Sequence, residues 1–171
     1  GSDRAYYWDA TSGVSITLAD GDDEGTVDGG AGEDTLVSIE EIDGSNFADT
    51  IIGNRDDNYF VLDTDYEGDP GPGDDTVSSG DSVDGGDGWD VVDYSEEGDT
   101  QGTGVTVNLR AGTATDTRGD TDTLLNIEEV RGTDLADTMT AADTGSRLRG
   151  YGGDDSLTGG AGDDTLDGGD G

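Results

Sequence analysis

GYGGDDSLTGGAGDDTLD, Gly150 to Asp167, is two nonapeptides set end to end with no linker between them. Both fit G-G-x-G-x-D-x-U-x, where U is apolar, with tyrosine at the second place of the first copy. A third copy, GGAGEDTLV, stands at Gly29 to Val37. Working outward in the same register, U recurs every nine residues at Val130, Met139, Leu148, Leu157 and Leu166, and again at Ile42, Ile51 and Phe60. A nine-residue period broken by glycine turns suits neither helix nor hairpin. It suits a solenoid of very short parallel strands, each placing one U side chain inward on its neighbours above and below. The sequence therefore predicts an all-β fold, a parallel β-roll or β-helix with short strands and glycine/aspartate turns, and no helix.

Composition sharpens the problem. Formal net charge is −36, all seven cations are arginine, and lysine, histidine and cysteine are absent. Leu, Ile, Val and Phe make up 29 of 171 residues, below the roughly 20% under which a highly charged chain is usually disordered. Self-repulsion of that size opposes compaction, and little apolar surface is available to offset the ordering entropy. A cation has to complete the fold. Such an acidic surface repels phosphate backbones and anionic headgroups, which argues against nucleic-acid binding and direct membrane insertion. No apolar run approaches a transmembrane helix or a signal-peptide core.

The acids follow a pattern of their own. Asp34, Glu40 and Asp49 stand six and then nine apart, each two residues ahead of Leu36, Ile42 and Ile51. The same spacing recurs in Asp75, Asp81 and Asp90, and in Asp122, Glu128 and Asp137. If successive half-turns alternate between two faces, the outer acids of each trio share an edge, one coil apart. Carboxylates stacked in that way need a cation between them. Soft metals want Cys or His, and there is neither. Carboxylate and carbonyl oxygens on flexible glycine loops suit calcium better than the strict octahedron of magnesium.

With GGAGEDTLV, GGDGWDVVD, GYGGDDSLT and GGAGDDTLD on the page, the chain resembles the repeats-in-toxin (RTX), haemolysin-type calcium-binding family. Nearly perfect repeats cover about a quarter of it, and degenerate ones such as GSNFADTII, GNRDDNYFV and GTDLADTMT extend the likeness to about two thirds. The resemblance implies two nonapeptides per turn, several Ca2+ ions held between loops on one edge, and secretion through a bacterial type I exporter. Carried over residue by residue, the metal-binding aspartates fall on Asp34, Asp49, Asp75, Asp90, Asp137, Asp155 and Asp164, with Asp122 beside them. The glycines whose carbonyls would complete the shells are Gly29, Gly30, Gly32, Gly85, Gly86, Gly88, Gly153, Gly159, Gly160 and Gly162. Asp137 and Asp155, eighteen residues apart, form the best pair. Asn58 and Ser146 replace the aspartate, and TRGDTD at Thr117 to Asp122 lacks paired glycines, so sites there should be weak or missing.

Larger matches divide the chain. GVSITL pairs with GVTVNL, TLVSIEEI with TLLNIEEV, and GSNFADTI with GTDLADTM. The expected organisation is a vector-derived remnant at 1–2, a first diverged repeat unit at 3–61, and a surface loop at 62–73. A middle repeat segment follows at 74–103, a second diverged unit at 104–149, and regular nonapeptides at 150–171, cut short inside a repeat. Neighbouring domains of a larger protein are expected partners. The family's repeats accompany proteases, lipases, epimerases, cytolysins and adhesins, but no acid here is set apart by a histidine, lysine or nucleophile, so this segment is not expected to be an enzyme. Its function is expected to be calcium binding, with folding outside the cell. The alternative is an adhesin or spacer that calcium stiffens, with a glycan, ice or cell-surface ligand on Trp8, Trp89 and the tyrosines or on the threonines that precede U.

Overall fold

The computed structural model describes residues 2–21, 23–30, 32–62, 80–95 and 103–171. Two sheets face each other across a single apolar layer. The first has seven strands in the order β1 (Arg4–Tyr6), β5 (Glu41–Asp43), β7 (Tyr59–Val61), β9 (Val91–Asp93), β13 (Glu129–Arg131), β15 (Arg147–Arg149) and β17 (Thr165–Asp167). Every pairing in it is parallel. The second has ten, in the order β16 (Ser156–Thr158), β14 (Thr138–Thr140), β10 (Thr106–Asn108), β11 (Thr113–Thr115), β12 (Thr121–Leu125), β8 (Ser82–Asp84), β6 (Thr50–Ile52), β2 (Val14–Thr17), β3 (Gly25–Gly29) and β4 (Asp34–Leu36). From β12 onward the chain alternates between the sheets, strand by strand, which is the parallel β-roll expected from the nonapeptide period. Among the described residues there is no helix.

In the strands that alternate between the sheets, each three-residue strand is the x-U-x of one nonapeptide. The centre residue points inward and the flanking ones outward, as the pleat requires. Ile42, Phe60, Val92, Val130 and Leu148 stack in register along the first sheet and are fully buried. Ile16, Ile51, Val83, Leu124, Val107 and Met139 supply the opposing layer. Threonine dominates the outward positions of the ten-stranded sheet because a β-branched side chain suits a solvent-facing strand. The core is one side chain wide per strand, so few apolar residues are enough to build it.

Two departures from a plain roll lie in the ten-stranded sheet. β2, β3 and β4 form an antiparallel meander, as do β10, β11 and β12. GGAGEDTLV therefore does not make a roll turn. Gly29 ends β3 with φ 124°, Asp34 opens β4, and the glycines between them carry a hairpin return. The cause is local: Gly25–Gly29 alternates buried and exposed residues, a period-two pattern that closes on its sequence neighbour through a short glycine turn. Leu62, expected to begin a surface loop, is buried in the core. The rest of that loop, with Asp75, lies outside the described residues.

Four of the seven arginines, Arg4, Arg131, Arg147 and Arg149, belong to the seven-stranded sheet, while Arg55 pairs with Asp20 and Asp87 and Arg110 with Asp143. Buried Glu129 is met by the Nε of Arg131 at 3.1 Å, by Arg149 at 3.3 Å and by Arg147 at 3.5 Å. Arg131 also lies over the Tyr59 ring, 4.9 Å from its centroid. Arg131, Arg147 and Arg149 thus serve Glu129 and Asp93.

Candidate calcium-binding turns

Glycine-rich turns line both long edges where the chain passes between sheets. Residues 53–58, 85–90, 141–146 and 159–164 lead into the seven-stranded sheet, and 44–49, 132–137 and 150–155 into the ten-stranded one. The turns stack closely. A Cβ built on Gly160 would stand 1.8 Å from the Ala142 carbonyl oxygen, and one on Gly86 would stand 2.1 Å from that of Asn54. Gly86 also has φ 100°, a region open to glycine and costly for other residues. Gly85 and Gly88 share that turn, Gly153 lies in 150–155, and Gly159 and Gly162 flank Gly160.

Where the sixth residue of a turn is aspartate, it reaches one coil along and accepts a backbone N–H there. The Asp137 N–H donates to Asp155 Oδ1 at 2.9 Å, so the expected best pair does sit one coil apart. The Ser146 N–H donates to Asp164 Oδ1 at 2.9 Å, and the Asn58 N–H to Asp90 Oδ1 at 2.8 Å. On the other edge the Val14 N–H donates to Asp49, the Asp49 N–H to Asp81 at 2.8 Å, and the Asp81 N–H to Asp122 at 3.0 Å. Asp122 also receives the Tyr94 hydroxyl at 3.0 Å. The trio rule thus needs correction. Asp81 joins Asp49 and Asp122 in one ladder. Asp122 and Asp137 share a sheet but are held apart by β10 and β11, and Asp34, exposed on β4, is separated from Asp49 by β2 and β3.

Burial raises the pKa of Asp49, Asp81, Asp90, Asp122 and Asp137. Asp81 is pushed up to about 9 by desolvation, with its neighbours Asp49 and Asp122 adding to the rise. Asp90 is pushed up to about 7 by burial, with Glu128 and Asp57 adding to it. Asp122 and Asp137 rise to about 6, again chiefly by desolvation.

What a cation would meet differs from turn to turn. Among the described residues no three acidic side chains converge, so a calcium shell here would be built largely from backbone carbonyls plus single carboxylates. Two buried carboxylate oxygens, Asp90 Oδ2 and Asp155 Oδ2, have no hydrogen-bond partner. An anionic oxygen in that position is costly unless a cation meets it, so the turns at 85–90 and 150–155 fit calcium. Hard oxygen donors on glycine loops match its coordination preferences. Asp90 and Asp155 are both among the carboxylates that the repeat motif singles out. Sequence reasoning missed the structural weight of Asp81, and the hydroxyls of Ser45 and Thr133, which touch the carboxylates four residues on. Serine or threonine at the turn's second place was the signal.

This geometry defines a parallel β-roll with oxygen-lined glycine turns. The model of the RTX calcium-binding nonapeptide repeat matches four copies in the chain, over residues 39–65 and 140–171, about a third of its length. Those segments are RTX repeats, and repeats of this kind bind Ca2+. No curated protein matches the chain.

Proposed function

We propose that the chain is a calcium-coupled folding module of a larger secreted protein, extended when calcium is scarce and folded once calcium reaches it outside the cell. The observation that carries this reading is the pair of orphaned buried oxygens on Asp90 and Asp155 in a protein of net charge −36. Without a cation, the stacked carboxylates repel and their burial is opposed. With one, the binding free energy becomes folding free energy. Extracellular modules bind calcium at about 0.1 to 1 mM, which would keep the chain extended during passage through a type I exporter. Magnesium, which dehydrates reluctantly and demands octahedral geometry, should not substitute.

Far-ultraviolet circular dichroism of the metal-stripped protein tests this. Titration with calcium should convert a coil spectrum cooperatively to a β spectrum, and magnesium at equal concentration should not. A β-rich spectrum in excess chelator that ignores calcium would refute coupled folding.

A second reading, an adhesive module that calcium stiffens, is favoured by the outer face of the ten-stranded sheet. An uncharged row runs in register from Ser15 through Thr50, Ser82, Thr123, Thr113, Asn108 and Thr140 to Thr158. An uncharged row of that length on so acidic a chain suits a neutral, regular partner such as a polysaccharide or ice. If this reading holds, the calcium-loaded protein should be retained on insoluble polysaccharide or in growing ice, and Thr50→Lys with Thr123→Lys should abolish retention. Passage of the unsubstituted protein through both would leave the folding module alone.

A further inference from the structure

The seven described turns of the roll divide by what their sixth side chain touches. In five of them it accepts the N–H of the turn's own second residue. Ser45 donates to Asp49 Oδ2 at 2.6 Å, Asn54 to Asn58 at 2.9 Å, Thr133 to Asp137 Oδ2 at 2.8 Å, Ala142 to Ser146 at 3.1 Å and Gly160 to Asp164 Oδ2 at 2.6 Å. In the other two, 85–90 and 150–155, the second residue is Gly86 or Tyr151, with φ 100° and 67°. These are the two turns whose Oδ2 is orphaned. The left-handed conformation at the second place and the free carboxylate oxygen occur together.

Of the three closed turns that keep an aspartate, two are closed twice. Ser45 Oγ donates to Asp49 Oδ1 at 2.7 Å, and Thr133 Oγ1 to Asp137 Oδ1 at 3.0 Å. Counting the neighbouring coil's N–H from Val14 or Val105, each carboxylate receives three donors from the protein itself. Three such donors satisfy a carboxylate without a metal. A serine or threonine at the second place also resists the left-handed conformation seen in the open turns. Gly160 has no such barrier and no hydroxyl, so the 159–164 turn is closed by a single N–H that glycine can withdraw.

We propose that the chain binds calcium at the turns 85–90 and 150–155, through Asp90 and Asp155, while the turns 44–49 and 132–137 are sealed by Ser45 and Thr133 and take no ion. The inference rests on the calcium reading above and sharpens it. The sealed turns act as metal-independent staples, and resemblance to the repeat consensus does not by itself mark a site: 44–49 lies within a segment matched by the repeat model, and 85–90 lies outside it. It also moves the expected Asp137–Asp155 site onto Asp155 and its own turn.

The open turns carry built-in reporters. Trp89 adjoins Asp90 and Tyr151 lies in the second open turn, so terbium bound there should luminesce through the indole and the phenol respectively. The full chain would be measured for bound calcium by equilibrium dialysis and for terbium emission excited through tryptophan. Asp90→Asn should lose one ion and the indole-sensitised emission, and Trp89→Phe the emission alone. Asp155→Asn should lose a different ion and keep the indole signal. Ser45→Ala and Thr133→Val, which remove only the sealing hydroxyl, should keep both the ion count and the emission, as should Asp49→Asn and Asp137→Asn wherever circular dichroism shows them folded. Loss of an ion in Ser45→Ala or Thr133→Val, or an unchanged count in Asp90→Asn and Asp155→Asn, would overturn the assignment. No bound calcium in the unsubstituted chain would instead overturn the calcium reading beneath it.

Discussion

Phe60→Ala should cost the calcium-loaded protein about 3 to 5 kcal/mol, a large share of the roughly 5 to 15 kcal/mol that a domain has in total. Phe60 is fully buried, and it is paired in register with Ile42 on one side and Val92 on the other. In a globular core a truncated ring leaves a void that neighbours from many directions can partly fill. Here the apolar layer is one residue wide per strand, and the glycine turns lock the strand spacing, so little can move in. The cavity should persist at nearly full size, and its cost should fall on the coils either side, because a solenoid's stability is mostly local and nearest-neighbour. Denaturant unfolding at saturating calcium measures this. Leu166→Ala is the control: that side chain is 43% exposed, and its loss should change stability by less than about 1 kcal/mol. Equal costs at the two positions would mean that the U stack is not the structural core.

How far the fold was legible in the sequence follows from which interactions are local. The U register was legible for Ile42, Ile51, Phe60, Val130, Met139 and Leu148, which are buried, whereas on the edge strands β16 and β17 Leu157 is only partly buried and Leu166 is exposed. A nine-residue period with fixed glycine turns leaves the chain few other ways to bury the former. The direction of β3 and β4 was not legible. GGAGEDTLV supplies a glycine turn and a short strand in either arrangement, and what decides between roll and hairpin is the alternation in the five residues before it, which the repeat pattern does not weigh. The candidate sites divide in the same way. An aspartate at the sixth place is necessary for a cation site, but whether it is free depends on the residue four positions earlier, and a consensus that tolerates Ser45 and Thr133 there cannot tell a sealed turn from an open one.

In excess chelator, acidification should itself drive the chain toward the folded state. Asp81 is buried, and in the folded protein its pKa is pushed up to about 9, mainly by desolvation, with Asp49 and Asp122 contributing. Asp122 rises to about 6 for the same main reason. A carboxylate whose folded pKa lies above its unfolded value of about 3.9 binds a proton more tightly when folded. Its contribution is then fully present below the unfolded pKa and is lost as pH rises through the folded one. For Asp81 the window runs from about pH 4 to about pH 9, and inside it each such group lowers stability by about 1.4 kcal/mol per pH unit. The metal-free protein should therefore gain β signal as the pH is lowered from about 8 to about 5, the proton doing at the Asp49–Asp81–Asp122 ladder what calcium does at the open turns. Asp81→Asn keeps an uncharged oxygen for the Asp49 N–H and should flatten this dependence while raising metal-free stability near pH 8. A metal-free protein that loses structure on acidification would show that these carboxylates are charged in the folded state, and that the ladder is held by their ionised form.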